Sequence, residues 1–314
     1  MQDLLFTFES VAPVFLITFL GTLLKRGRLI NDQFVTDSSR LVFNVAMPVL
    51  IFLKLSEVDF RQLFHVRLIL YLYLMTMVSV AVIWLFVLRF IQKGEDRGAF
   101  IQGAFRSNFA IVGFAIIANL FGEDALAKAA FVLALVMPLH NFLSVVILTI
   151  STNPEDAIEW KLIAFRVLKN PLIVAAAIAI LFALVHIPLH PILARTGDYL
   201  AGLTLPLALL GIGGSLNMEA VKRASKMAFA ASGIKLIMLP LLGTLGAVWI
   251  GMRGLDLAVI FILFSAPTAI ASFVMAQTMG ANSRLAGNIV IISTFGAIVT
   301  ITLGLYILKT VQFI

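Results

Sequence analysis

Long apolar runs, each about one bilayer crossing in length, alternate with short polar punctuation along the whole chain. A transmembrane helix needs about 20 mostly apolar residues. The pattern predicts ten, at about residues 5–24, 33–54, 68–89, 98–119, 126–149, 169–187, 192–215, 228–250, 255–278 and 286–308. Between them fall Lys25-Arg26-Gly27-Arg28, Gln92-Lys93-Gly94-Glu95-Asp96-Arg97, Thr152-Asn153-Pro154-Glu155-Asp156 and Lys222-Arg223. The runs are solidly apolar rather than alternating, which selects helices over barrel strands. The expected fold class is an all-α polytopic membrane protein of ten transmembrane helices. The connections leave no room for a soluble domain. Met1-Gln2-Asp3-Leu4-Leu5 carries no basic stretch, so the first run is expected to persist as a span rather than to be cleaved.

Composition agrees. Of 314 residues, 61% are hydrophobic and 12% charged, about half the charged share of a soluble domain. With no cysteine, disulfides, thiolate metal sites and cysteine nucleophiles are excluded. The net charge of +7 does not come with a basic block interleaved with aromatics, so nucleic acid is not an expected partner and membrane lipid is. Alternate loops differ in Lys and Arg: thirteen on the side of Lys25, Lys93, Lys161, Arg166 and Lys222, seven on the side of Lys54, Arg61 and Arg195, and three (Arg40, Arg106, Lys235) within spans. The richer side is expected to be cytoplasmic. Both termini then face outward, as in a bacterial inner-membrane protein.

The two halves match at a constant offset of 158 positions: Pro13 with Pro171, Pro48 with Pro206, Ser107 with Ser265, Asn119 with Gln277 and Gly122 with Gly280. Residues 1–156 and 159–314 then form two repeats of five spans each. Five is odd, so the second repeat enters the membrane from the opposite side. Inverted repeats of this kind build many secondary transporters, whose sites lie near the midplane at broken helices in matching positions.

The fourth and ninth spans are the candidates for those breaks. Their polar clusters begin at Ser107-Asn108 and at Ser265-Ala266-Pro267-Thr268, near mid-span. Pro267 removes a helical donor, and a half-helix starting beyond it would present its N-terminus to an anion. Ser107, Ser265 and Thr268 can equally bond their own backbone. Asn108 is an amide at mid-bilayer, costly unless partnered. Asn44 lies one turn before Pro48 and could reach the same cavity. Arg106, beside Asn108, could act as counter-ion to a carboxylate or be a cation paired with backbone carbonyls. Arg40 and Lys235 lie nearer their span ends, where they are expected to snorkel to water. No Asp or Glu lies deep in a span. His186 and His190 flank Pro188 at a helix boundary, a poor metal site. His140 with Asn141 lies inside span five and could line the cavity, but a packed, hydrogen-bonded pair is the favoured reading. No cofactor or metal is expected.

Several motifs together resemble the auxin efflux carrier family, which includes plant PIN-type auxin exporters and bacterial proteins named as malonate or other organic-anion permeases. They are Ala46-Met47-Pro48, Asn108 with Gly113, Asn170-Pro171, Lys235 with Pro240, and Pro267 with Phe273-Val274-Met275-Ala276. The resemblance covers essentially the whole chain. It implies a bile-acid-symporter-like fold in which spans four and nine cross as broken helices. Spans one, two, six and seven would form a scaffold domain, and spans three, four, five, eight, nine and ten a transporter domain. It further implies an elevator-type movement and a homodimer. Asn108 would contact substrate, Met47 would line the pocket, and Gly113 belongs to the same motif. Family members of the PIN type carry proline where this chain has Ser107 and Ala115, which implies a gentler break in span four. The long loop of many plant members is reduced here to about residues 150–168.

The expected activity is secondary transport of a small organic anion, a carboxylate. The alternatives are a sodium-coupled symporter of the bile-acid type, a channel, and a sensor derived from a transporter. An intramembrane enzyme is disfavoured, since the chain has no H-E-x-x-H, no paired intramembrane aspartates and no G-x-S-x-G. A dicarboxylate such as malonate would want two cations. A monocarboxylate with an apolar body would suit Met47, Phe109 and the aliphatic residues around them.

Overall fold

The computed structural model describes residues 2–56, 66–92, 94–152, 161, 165, 168–216 and 225–314. The polar clusters at 153–156 and 222–223, the junction of the two expected repeats, and Arg61, His65, Lys93 and Arg166 lie outside the described residues.

The described residues form α1 (Gln2–Arg26), α2 (Asp32–Ser56), α3 (Val66–Phe90), α4 (Gly94–Phe105), α5 (Phe109–Phe121) and α6 (Glu123–Thr152). They continue as α7 (Pro171–Val185), α8 (Pro191–Ser215), α9 (Lys226–Trp249), α10 (Gly254–Ser265), α11 (Ala271–Thr278) and α12 (Ser283–Thr310). Seven of these, α1, α2, α3, α6, α8, α9 and α12, are long and apolar enough to cross a membrane, and α5, α7 and α10 are shorter apolar helices. All ten predicted runs fall on helix. The fourth and ninth are each divided in two, as α4 with α5 and α10 with α11.

Local chemistry accounts for the ends and irregularities. Asn31, Asn170 and Asn282 cap α2, α7 and α12, their side chains accepting from Phe34, Leu172 and Leu285 N–H groups, which satisfies donors a helix start leaves free. Pro48 lacks an N–H and crowds the carbonyl one turn back, and α2 widens there into a π-helical turn over Val42–Ala46. Its sequence counterpart Pro206 follows a turn at Leu203 that interrupts α8. Gly122 ends α5 at φ 80° and Gly280 follows α11 at φ 75°, a backbone conformation that costs glycine little. His186, at φ 56°, closes α7, while His190 caps α8 by accepting from the Ile192 N–H.

The helices pack as two groups. In one, α1 lies along the C-terminal half of α8, while α2 packs on α7 and both halves of α8. Helices α1 and α8 approach so closely that a Cβ on Gly21 or Gly213 would fall onto the backbone of Leu210 or Thr18. Thr22 Oγ1 donates across that contact to the Gly213 carbonyl at 2.8 Å. In the other group α4 packs on α3, α6 and α12, and α9 packs on α10 and α12. Large apolar side chains such as Leu70, Leu85, Leu181 and Trp249 face outward, as a hydrocarbon solvent allows. This is an integral membrane protein.

Candidate functional site

The two helix interruptions meet. Helix α10 stops because Pro267 has no N–H for the Leu263 carbonyl and forces Ala266 into an extended conformation (φ −58°, ψ 142°). The break after α4 contains no proline. Arg106, Ser107 and Asn108 separate α4 from α5. Ser107 forms an antiparallel bridge with Thr268, and the Asn108 N–H donates to the Pro267 carbonyl at 2.7 Å. Thr268 Oγ1 donates to the Gly103 carbonyl at 2.7 Å, and its N–H donates to Ser293 Oγ at 3.0 Å. Each break thus supplies groups that satisfy the other, as a low-dielectric interior requires.

A cavity of about 470 Å³ opens beside this junction. One wall is α2 (Ser39, Phe43, Met47), the start of α7 (Asn170, Leu172) and α8 (Ala208, Ile212). The other is Arg106 to Ile111, Ala269 to Ala271, and α6 through Met137, His140 and Asn141. The starts of half-helices α5 and α11 both border it.

Arg106 is the charged group of the lining, only 7% exposed. Its guanidinium donates to Asn141 Oδ1 at 2.7 Å and to Met275 Sδ at 2.5 Å. Both partners are neutral. The described ion pairs are Lys25–Asp32, Lys54–Glu123 and Lys128–Asp256, so no described carboxylate balances Arg106. Ser107 Oγ and His140 Nε2 are buried without a hydrogen-bond partner. The Asn108 side chain caps no helix N–H.

Of the residues singled out in the sequence, Met47, Arg106, Ser107 and Asn108 come together on this cavity. Asn44, Gly113, Ser265, Pro267 and Thr268 do not line it. Asn44 donates to the Arg40 carbonyl. A Cβ on Gly113 would meet the Phe109 ring at 2.5 Å, so Gly113 lets that ring lie against the helix. Ser265, Pro267 and Thr268 sit behind the lining as parts of the junction. Two expectations are corrected. Of the two readings of His140 and Asn141 the structure has the less favoured, since both line the cavity and they do not pair with each other: Asn141 is taken by Arg106, and His140 rests edge-on against Phe105 at 5.5 Å. Lys235 does not snorkel. It is 0% exposed, and its ammonium donates to the Phe264 carbonyl at 2.9 Å, because the break leaves that carbonyl without a helical donor.

Sequence reasoning did not assign Met275, Asn170 or a second cavity. Met275 and Asn170 stood in recognised motifs, but only the fold aims them at Arg106 and the cavity. The second cavity, about 420 Å³, lies between the same two helix groups and is lined by Leu50, Lys54, Asn119, Glu123, Asp198 and Pro206 among others. The two cavities take opposite halves of α2. Met47 borders the first and Leu50 the second, less than one helical turn apart.

Apolar helices enclosing two cavities along the seam between the helix groups define the class: an integral membrane protein with internal cavities. Residues 6–305 match the family described as "Membrane transport protein". The chain belongs to that family, the auxin efflux carrier family its motifs resemble. It is 25% identical over 298 residues to an "Uncharacterized transporter" of Methanothermobacter thermautotrophicus, covering 94% of this chain and 96% of the relative. It is 22% identical to an "Uncharacterized transporter" of Methanocaldococcus jannaschii, covering 96% and 98%. It is 25% identical to a Rhizobium meliloti protein named "Putative malonate transporter", covering 96% and 95%. The protein is a membrane transporter, not an enzyme.

Proposed function

We propose that the chain is a secondary carrier for a small organic anion, with the substrate carboxylate held at Arg106 and Asn108. The observation that carries this reading is the Arg106 guanidinium, buried on the cavity wall with only neutral partners. A buried cation without a counter-charge is costly, and an anionic substrate would supply that charge. The half-helix starts at Phe109 and Ala271 add positive partial charge on the same side. The Ser107 hydroxyl and His140 Nε2 offer further hydrogen-bonding positions.

The carrier mechanism draws on the seam. Ten membrane-spanning segments in two inverted halves, with α4–α5 and α10–α11 as crossing broken helices, fit the matched conformations of Gly122 and Gly280 and the matched distortions near Pro48 and Pro206. The group α1, α2, α7 and α8 would be the scaffold and the remainder the moving domain. The cavity at Ser39 and Asn170 would face the cytoplasm, given the Lys and Arg distribution, with both termini outside. Sliding of the moving domain would close it and open the cavity at Lys54 and Asp198. Dimerisation through the scaffold is part of the same reading.

One guanidinium in an otherwise largely apolar lining suits a carboxylate with an apolar body. A dicarboxylate, suggested by the name of the Rhizobium meliloti relative, would leave its second charge without a cation. Uptake of labelled malonate, malate and indole-3-acetate into proteoliposomes tests the reading. Saturable uptake of a carboxylate above protein-free vesicles supports it. Uptake of none of them refutes the carboxylate assignment.

A further inference from the structure

Met275 belongs to the second interrupted span, yet it holds the charged group of the first. On α11 it follows Ser272 by three residues and precedes Ala276, and both of those are buried, so the three share the inner face of the helix. Against that face stand Gln102, in α4, and Arg106, just past its end. The Arg106 N–H still reaches back to the Gln102 carbonyl at 3.0 Å, so the two side chains, four residues apart, lie one above the other. The Met275 sulfur accepts from both, from Gln102 Nε2 at 3.5 Å and from Arg106 Nη1. The remaining bond of the guanidinium, from Nη2 to Asn141 Oδ1 at 2.7 Å, goes to α6. The cation is thus clamped between α11 and α6, and Met275 does not itself line the cavity.

The kind of acceptor matters. A thioether is a weak, polarisable acceptor that carries no charge. It fixes where the guanidinium points and leaves its charge uncancelled. A carboxylate in the same place would form a charge-assisted pair with Arg106 and supply permanently what a substrate anion would otherwise supply. An anion entering the cavity would then meet a neutral pair and a desolvation cost with little attraction to offset it. Position 275 therefore decides whether Arg106 has a charge left for a ligand.

We propose that Met275 is a positioning residue that sets the charge selectivity of the site: its sulfur orients the Arg106 guanidinium toward the cavity without neutralising it. The anion position next to the first break then depends on a side chain from the half-helix beyond the second. It exists only while α4 and α11 keep this register. The clamp on Arg106 is a matter of structure alone. Its consequence for the substrate rests on the anion-carrier reading.

Three substitutions of similar volume test it: Met275→Leu removes the acceptor, Met275→Gln restores a neutral one, and Met275→Glu adds the charge. In proteoliposomes, Met275→Leu should raise KM for a carboxylate a few-fold with the maximal rate little changed, and Met275→Gln should return KM toward wild type. Met275→Glu, nearly identical in shape to Met275→Gln, should raise KM by at least about tenfold. Met275→Leu matching wild type while Met275→Gln is worse would make Met275 mere packing and overturns the proposal. Equal uptake by Met275→Gln and Met275→Glu overturns it too. A second arm needs no transport. Met275→Glu and Met275→Gln are melted alone and combined with Arg106→Gln, a double-mutant cycle. Met275→Glu should melt above Met275→Gln when Arg106 is present and below it when Arg106 is replaced, because the buried carboxylate is paired in one background and alone in the other. The same order in both backgrounds shows that position 275 does not act on Arg106 and overturns the proposal. If the double variant does not fold, the single variants decide, and Met275→Glu melting below Met275→Gln overturns it. Absence of carboxylate uptake by wild type removes the carrier reading instead, and the melting arm still decides the clamp.

Discussion

The Asn108 N–H donates to the Pro267 carbonyl at 2.7 Å, joining two interrupted helices that lie far apart in the chain. The bond places the Asn108 side chain at the cavity wall and uses the backbone that Pro267 disturbs. The junction is thus both the structural solution to two broken helices and the floor of the candidate site.

The charge of Arg106 should govern affinity rather than folding. Arg106→Gln keeps a hydrogen-bonding side chain near Asn141 and removes the cation. A charged hydrogen bond is worth about 1.5–3 kcal/mol, so KM for a carboxylate is expected to rise by roughly 10- to 150-fold, with the melting temperature unchanged or higher. Concentration-dependent uptake together with a melt separates the two effects. A lowered melting temperature with unaltered KM would make Arg106 structural.

Thr268 should matter for stability although it does not touch the cavity. Thr268→Val keeps the shape and leaves the Gly103 carbonyl without its 2.7 Å donor. An unsatisfied buried acceptor costs about 1–3 kcal/mol, which a thermal or denaturant melt reads directly. Ser293→Ala, which removes the acceptor of the Thr268 N–H, should act in the same direction.

How much of this was legible in the sequence differs between elements. Apolar runs located the helices, seven of them long and apolar enough to cross a membrane, because hydrocarbon selects long uninterrupted segments whatever their neighbours. The break at Pro267 was legible because proline removes a donor locally. The break at Ser107 was legible through its mid-span polar cluster and its alignment with Ser265, although Arg106, Ser107 and Asn108 contain no proline to stop a helix. Pairing with Thr268 holds that break open, and the pairing is tertiary. Lys235 was misread for the same reason. Distance from a span end suggested snorkelling, whereas its partner carbonyl is on another helix. Asn44 stands on α2 one turn before Pro48, but its amide bonds the Arg40 carbonyl and it does not line the cavity, a partner that spacing alone does not reveal.

The close approach of α1 and α8 gives a prediction about the proposed scaffold. Gly213→Ala would drive a methyl group into the Thr18 backbone. Neither helix can yield without losing the Thr22–Gly213 hydrogen bond. A destabilisation of about 1–3 kcal/mol, typical of overpacking, is expected in a melt. Gly202→Ala, where a Cβ meets nothing within 4 Å, is the control and should be near neutral.

The second cavity makes the proposed movement testable. Lys54 on α2 pairs with Glu123 on α6 at 2.7 Å, bridging the two helix groups, with Asp198 of α8 on the same cavity wall. The chain has no cysteine, so Lys54→Cys with Glu123→Cys gives a single possible cross-link. Oxidation should stop uptake and reduction should restore it. Uptake that continues through a complete cross-link would show that the two groups do not separate at this end.

The most direct measurement is carboxylate uptake by wild type and Asn108→Ala reconstituted side by side at equal density, with a melt confirming that the variant is folded. A carrier whose site is the junction of the two breaks predicts saturable uptake by wild type and its loss in the folded variant. Unchanged uptake by Asn108→Ala would contradict the account and move the substrate away from that junction.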